Sequence, residues 1–320
     1  MNIKQTFQKI RFLNETYTKM KWREKKVSNG TENKEKCFYI VRRANAKVGL
    51  FSLVLTSLGY IKHAVDRGCI PVVDMSNYRN SYAGYGDNNP NIWEYYFQQP
   101  GKYNLEDINQ SKKIVLGNGI ISDKVEYPDD EIAYDDKKLL YWKEVAGQYL
   151  KVEDTIARET ELIQDKMFGK SRVLGVLARG TDYINARPYN HPVQPTPEQL
   201  MEKIDQVMQA QKCDKIYLAT EDSNIYALFQ EKYQDRLFSM DVERFETEGK
   251  ENINEVRQKQ KRSGYLAGKD YLITILLLSR CHCLVAGNTS GSLGALLLNK
   301  QYDYKYIFNL GVYGRNEEEE

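Results

Sequence analysis

Polar and charged residues follow three apolar runs in the second half of the 320-residue chain. The runs cover residues 173–178, 215–219 and 283–287, and a segment with helical character comes after each of them. A continuous apolar run of this kind is typical of a buried strand in a parallel sheet. Ligands of such sheets bind outside the carboxyl ends of the strands, so the three polar clusters are predicted to face one crevice. Their members are Arg179, Thr181, Asp182, Thr220, Glu221, Asp222, Asn288, Thr289, Ser290 and Gly291.

The third cluster has the pattern of an anion site. The segment Asn288-Thr-Ser-Gly291 joins a strand to a helix, and helix N-termini bind phosphate through free N–H groups and the helix dipole. Small hydroxyl residues in this position are also ordinary helix N-caps. Arg179 is predicted across the same crevice, and a cation there either meets a carboxylate or faces an anionic ligand. Together they favour a diphosphate, which takes donors from more than one side.

The acidic residues keep more than one interpretation. Glu221 and Asp222 either shape the ligand pocket, pair with Arg179, or begin a helix, whose first turn favours acidic side chains. Asp182 either locks the loop that follows Arg179 by accepting backbone hydrogen bonds or contacts the ligand.

Several familiar sites are missing from the sequence. It has no phosphate-binding G-x-x-x-x-G-K-[ST] loop, no G-x-G-x-x-G after a strand, and no Gly-x-Ser-x-Gly, which disfavours dinucleotide dehydrogenases and serine hydrolases. No Asp-x-Asp occurs, which argues against a metal-bridged diphosphate. A net charge of +2 gives no reason to expect nucleic acid as a partner. The pair Cys281 and Cys283 is interpreted as buried strand residues rather than as a zinc site.

Composition indicates a folded, cytoplasmic protein. Hydrophobic residues make up 41% of the chain, and no apolar run is long enough for a membrane span. The five cysteines are odd in number and mostly lie in apolar runs, which favours a reducing compartment over a disulfide framework.

Four segments are predicted. Residues 1–36 form a basic amphipathic segment and linker, residues 37–167 an N-terminal α/β domain, residues 168–313 a C-terminal Rossmann-like domain, and residues 314–320 an acidic tail. Apolar residues recur at helical spacing in the first 26 positions. That helix either docks on the protein or on a twin subunit in a homo-oligomer, or it rests on an anionic membrane surface.

The strand tips of the first domain carry groups suited to sugars. Two apolar strands are predicted at residues 37–41 and 70–74, and a loop rich in Gly, Asn and Tyr follows. Arg43, Asp74 and Tyr78 lie at these tips and are the predicted acceptor-binding residues. Two α/β domains with facing tips, one suited to phosphate and one to sugar, indicate a group-transfer enzyme.

Three motifs resemble the donor site of the fucosyltransferase superfamily, which includes α1,6-, α1,2-, protein O- and nodulation fucosyltransferases. They are Val176-Leu-Ala-Arg-Gly-Thr-Asp182, Ile216-Tyr-Leu-Ala-Thr-Glu-Asp222, and the stretch from Leu277 to Ser290. The resemblance implies a GT-B fold of two Rossmann-like domains facing a central cleft, with GDP-fucose as donor, inversion at the anomeric carbon and no metal. It covers the second domain well and the first only in general layout.

By position, Arg179 and Asp182 match the arginine and aspartate of the family's His-x-Arg-Arg-x-Asp motif. Leu177 stands at its histidine and Gly180 at its second arginine, so one guanine contact and one phosphate contact of the family are not predicted here. Glu221 and Asp222 match the paired acids. The diphosphate-binding hydroxyls correspond to Thr289 and Ser290.

These observations predict a metal-independent inverting glycosyltransferase that moves fucose from GDP-fucose to a glycan or polysaccharide, without another cofactor. Arg179 and Asp74 are the predicted catalytic residues, Asp74 as the base. A transferase with a different nucleotide sugar, a non-catalytic glycan-binding protein, and a phosphosugar hydrolase or epimerase on the same scaffold are the alternatives.

Overall fold

Two β-sheets, one in each half of the chain, organise the computed structural model, which describes residues 16–43, 48–76, 81–82, 91–180, 187–245 and 264–314. The first sheet has the order β1-β4-β2-β3, in which only the β1–β4 pair is antiparallel. Its strands are β1 (Lys25–Val27), β2 (Phe38–Arg42), β3 (Ile70–Asp74) and β4 (Ile114–Leu116).

The second sheet is parallel throughout and has the order β7-β6-β5-β8-β9. Its central strands are buried along their whole length, which explains why the sequence reads as uninterrupted apolar runs there. The strands are β5 (Val173–Leu177), β6 (Lys215–Ala219), β7 (Leu237–Phe238), β8 (Cys283–Gly287) and β9 (Tyr304–Phe308).

Helices connect the strands and separate the two sheets. They are α1 (Leu50–Asp66), α2 (Trp93–Tyr96), α3 (Asp136–Tyr149), α4 (Asp154–Phe168), α5 (Pro197–Ala210), α6 (Ser223–Tyr233), α7 (Gly264–Ser279) and α8 (Ser290–Leu298). Residues 16–22 are also helical, and 3₁₀ turns cover Asp130–Ala133 and Gln234–Arg236. No helix in these described ranges is both long and apolar enough to cross a bilayer.

The halves share one hydrophobic core. A single cluster of buried side chains contains residues of α1 from the first half and of α7 and α8 from the second. At the contact between α1 and α8, a Cβ atom on Gly294 would collide with the ring of Phe51. Glycine at this position therefore lets the two helices approach closely, which brings the carboxyl ends of both sheets to one cleft.

Local sequence signals explain where several helices begin. Thr196 forms a capping box with Gln199 at the start of α5, with Pro197 at the first helical position. Strand β7 is short, since only Leu237 and Phe238 pair with β6.

The cysteine prediction needs correction. Cys37 and Cys69 form a disulfide, which the odd cysteine count did not suggest. They lie at the starts of the neighbouring strands β2 and β3, so sheet pairing brings together two residues 32 positions apart. The odd number of cysteines therefore does not indicate a reducing compartment for Cys37 and Cys69. Cys213, Cys281 and Cys283 are free and buried. Of the pair interpreted as strand residues, Cys283 lies in β8 and Cys281 precedes that strand.

Candidate functional site

Arg179 and Glu221 form an ion pair at the carboxyl edge of the second sheet. Leu177 of β5 pairs in register with Ala219 of β6, so the residues two positions further along each chain are neighbours. The Nη1 atom of Arg179 lies 3.1 Å from Oε1 of Glu221, and the two side chains are 24% and 15% exposed. The pairing predicted as one alternative is thus present, while both side chains also line the cleft.

Asp222 has a structural position next to this pair. Its side chain is 1% exposed and accepts hydrogen bonds from the backbone N–H groups of Asn224 at 2.9 Å and Ile225 at 3.0 Å. It is the N-cap of α6. Thr220 is also buried, and its Oγ1 accepts from the N–H of Asp222 at 3.2 Å. The described contacts of both residues therefore hold the turn between β6 and α6.

Asp222 also explains a departure from the fucosyltransferase motif. A Cβ atom at Gly180 would lie 2.5 Å from both Cβ and Oδ2 of Asp222, a separation that folded proteins do not tolerate. No side chain fits at position 180 unless the α6 cap moves. Leu177, which replaces the motif's histidine, is buried at the end of β5.

The β8–α8 turn presents a helix N-terminus to the cleft. Thr289 is the N-cap of α8 and forms a capping box with Ser292. The first N–H groups of a helix have no acceptor within it, and here they belong to Ser290 and Gly291, which both line the cleft. Asn288 precedes them and is 2% exposed; its Oδ1 has no hydrogen-bond partner among the described residues.

A cavity of about 480 Å³ lies between the two halves. Such a volume is in the usual range for small-molecule sites. Arg179 and His191 carry its basic groups, and Glu221, Asp129 and Asp130 carry its acidic ones. The second half also contributes Asn288, Thr289, Ser290 and Gly291, and the first half contributes Gly49, Thr56, Tyr82 and Tyr127.

Two of the three residues predicted to bind the acceptor lie within the described residues. Arg43 donates from Nη1 to the carbonyl of Ser52 at 3.3 Å and to Oγ1 of Thr56, and burial lowers the pKa of its guanidinium. Asp74 is 5% exposed, and its Oδ1 accepts from the N–H and the hydroxyl of Ser76. Neither side chain is among the described residues that line the cavity. Tyr78, together with Thr181 and Asp182, lies outside the described residues.

Two carboxylates on the cavity wall were not predicted from the sequence. Asp129 and Asp130 begin the 3₁₀ turn that precedes α3. Burial by the surrounding protein raises the pKa of Asp130, and the charge of Asp129 raises it further, while His191 lowers it. In the sequence these residues are two adjacent acids after a proline. The stretch has no periodic pattern of apolar residues, so the sequence does not predict that it lies at the cleft.

Within the described residues, no three His, Cys, Asp or Glu side chains lie close enough together to hold a metal ion.

Similar proteins are found among solved structures and not by comparison of sequences. No protein-family model matches the chain, and a search of curated protein sequences finds no relative. The fucosyltransferase NodZ from Bradyrhizobium superposes with a TM-score of 0.50 at 15% identity, over 88% of this chain and 97% of NodZ.

Two weaker superpositions involve proteins with nucleotide ligands. NodZ α-1,6-fucosyltransferase soaked with GDP-fucose has a TM-score of 0.49 at 14% identity, over 82% of this chain and 93% of that one. A variant of Arabidopsis thaliana FUT1 in complex with GDP has a TM-score of 0.48 at 10% identity, over 87% and 72%.

At these identities a structural likeness establishes the fold and not the reaction. The superposition on NodZ extends over almost the full length of both chains, and the two sheets face a shared cleft. The chain therefore has a GT-B fold, which confirms the fold class predicted from the sequence, and its structure is similar to that of the fucosyltransferase NodZ.

Proposed function

We propose that the chain is an inverting glycosyltransferase that transfers fucose from GDP-fucose to a glycan or polysaccharide acceptor without a metal ion. The observation that carries the proposal is the cavity between the halves, in which Arg179 and the N-terminus of α8 line the same space. A guanidinium and free backbone N–H groups are complementary to a diphosphate.

In this reaction the acceptor hydroxyl oxygen forms a bond to the anomeric carbon of fucose as the bond to the diphosphate breaks. Negative charge grows on the leaving phosphate oxygen. Arg179 and the N–H groups of Ser290 and Gly291 stabilise that charge, which is the main contribution expected of prepositioned donors. Glu221 holds the guanidinium at 3.1 Å and so orients it before the donor binds.

The remaining predicted residues take supporting positions. Thr220, Asp222 and Thr289 shape the donor side through the turns that they cap. On the acceptor side, Arg43 acts on the cavity wall through Thr56, which lines it. Thr181, Asp182 and Tyr78 are proposed to contact donor and acceptor on the basis of the motif and strand-tip patterns.

Nucleotide binding tests the proposal directly. Calorimetry with GDP, GDP-fucose, UDP and CMP, with EDTA present throughout, should show binding of the guanine nucleotides by the wild type. Arg179→Ala should weaken GDP binding by about 10- to 100-fold, because charge-assisted hydrogen bonds contribute about 1.5–3 kcal/mol. Arg280→Ala is the matched control, since Arg280 bonds Gln164 and does not line the cavity.

Four results would contradict parts of the proposal. Equal GDP affinity of wild type and Arg179→Ala would remove the donor site from this cavity. Selective binding of UDP or CMP would identify another nucleotide sugar. Glycan binding with no nucleotide binding would identify a glycan-binding protein on the same fold, whereas donor breakdown without acceptor would indicate a hydrolase or epimerase.

The proposal includes a cytoplasmic location with peripheral membrane contact through residues 1–26, which suits a lipid-linked acceptor. Trp22, Glu24 and Lys25 already contact the first half, since Trp22 packs on Gly119 and Lys25 pairs with Leu116. A deletion of residues 1–15 is therefore the informative truncation. It should abolish co-sedimentation with anionic vesicles; unchanged co-sedimentation would refute membrane contact, and a change of mass in solution would support a homo-oligomer instead.

A further inference from the structure

Three carboxylates and one imidazole line the cavity, and three of these four side chains have other contacts. Glu221 pairs with Arg179. Asp129 accepts a hydrogen bond from the N–H of Glu131 at 3.0 Å. His191 has a contact elsewhere in the chain. The carboxylate of Asp130 makes no hydrogen bond or ion pair with any residue in the described ranges, although it lines the same cavity.

A contact between the two halves positions Asp130. The hydroxyl of Tyr134, at the end of the same 3₁₀ turn, donates to the carbonyl of Phe308 at 2.9 Å and accepts from Nδ2 of Asn288 at 3.3 Å. Asn288 immediately precedes the α8 N-terminus that is proposed to bind the diphosphate. The turn is therefore tied to the donor side, while Asp130 itself belongs to the wall contributed by the first half.

The charges around Asp130 suit a proton acceptor. Its own segment provides Asp129, Tyr127 and Tyr134, and the second half provides His191 and the Arg179–Glu221 pair. Surrounding protein and the negative Asp129 make the ionised carboxylate less stable than in water, so its pKa is raised. A carboxylate with a raised pKa holds a proton more readily and is a better general base, provided that it is still ionised at the working pH.

We propose that Asp130 is the general base of the reaction, an inference that rests on the proposed function. The acceptor oxygen forms its bond to the anomeric carbon, the electron pair of the breaking bond leaves on the diphosphate, and the acceptor's hydroxyl proton passes to the carboxylate of Asp130. Water takes this proton after the products leave. Asp130 thereby has the role that the sequence assigned to Asp74, which is bonded to Ser76 and is not among the described cavity-lining residues.

The experiment compares Asp130→Asn with Asp129→Asn in the full-length protein. Both variants remove one negative charge from the same cavity wall, and asparagine at position 129 can still accept from the N–H of Glu131. Asp130→Asn should bind GDP within about 3-fold of the wild type, while its kcat falls by about 10²- to 10⁴-fold. It should also lose the acidic limb of the kcat/KM profile. Asp129→Asn should keep most of kcat and should keep that limb at a lower pH, because the Asp129 charge that raises the pKa of Asp130 is removed.

Failure of the Asp130 assignment and failure of the proposed function would give different results. Asp130→Asn with normal kcat and a normal acidic limb would overturn the assignment and leave the proposed function intact. Equal losses in both variants would also overturn it, because they would indicate an effect of charge rather than of proton transfer. A wild type that binds no nucleotide would overturn the proposed function, and the role of Asp130 with it.

Discussion

Adding a single methyl group at position 180 should destabilise the protein, because Asp222 occupies the space that the methyl would need. The new Cβ of Gly180→Ala would lie 2.5 Å from Cβ and Oδ2 of Asp222. Backbone strain is not the reason, since φ at this glycine is outside the left-handed region. Asp222 cannot simply turn away, because it is buried and caps α6 through the N–H groups of Asn224 and Ile225.

Two terms set the size of the effect. Forcing a group into a filled site costs about 1–3 kcal/mol. If Asp222 is displaced, the lost cap adds about 1 kcal/mol. We therefore expect Gly180→Ala to lower the free energy of unfolding by about 2–4 kcal/mol, the sum of these ranges. Gly180→Arg, which would restore the second arginine of the fucosyltransferase motif, should lose at least as much.

Denaturant unfolding of a double-mutant cycle measures this coupling. Asp222→Gly opens the space and leaves a residue that N-caps tolerate. The free energy of unfolding of the double variant Gly180→Ala/Asp222→Gly should exceed the value expected from additive single effects by about 1–3 kcal/mol. This difference is the cost of forcing the methyl group into the filled site. Additive single effects, or a neutral Gly180→Ala, would show that Asp222 does not exclude a side chain at position 180.

Three further variants test other contacts. Tyr134→Phe removes a hydroxyl that bonds both Phe308 and the β8–α8 turn, and it should cost about 1–2 kcal/mol in urea unfolding; an unchanged midpoint would argue against this tie. Cys37→Ser should cost about 3–4 kcal/mol in oxidising buffer, from the entropy of a 32-residue loop closed to Cys69, and much less with reductant present; equal losses in both buffers would show that the thiols are not paired. Glu24→Gln should lower the free energy of unfolding by an amount that depends on pH. The Arg67 hydrogen bonds lower the pKa of Glu24 below its ordinary value of 4.5, so the stabilisation by Glu24 is present above pH 4.5 and disappears as the pH falls through the lowered pKa. A loss that persists at low pH would contradict that sign.

Much of the proposed donor side could be predicted from local sequence. Apolar runs that end in polar clusters identified β5, β6 and β8, because buried parallel strands cannot tolerate polar side chains along their length. The sequence also left a pairing of Glu221 with Arg179 as one alternative, and the structure shows that pair. Capping preferences identified the start of α8, because unsatisfied N–H groups select hydroxyl and amide side chains.

The cavity wall contributed by the first half depends on long-range packing. Asp130 lies in a stretch without periodic pattern, and contacts of Tyr134 with Phe308 and with Asn288, 154 positions away, bring it to the cavity. The Cys37–Cys69 bond likewise follows from the register of β2 with β3, which cysteine counting does not contain.

Sequence by itself thus determined the class of the fold, the strand ends that carry the proposed donor-side residues, and the helix N-cap in the β8–α8 turn. These features depend on neighbours within a few residues, whose burial and hydrogen bonding leave a local pattern. The tertiary structure decided that Asp222 fills the space at Gly180, that Phe51 and Gly294 bring the halves together, and that Asp130 rather than Asp74 lines the described cavity. Such contacts join residues far apart in the chain, so only the packed structure determines which of them meet.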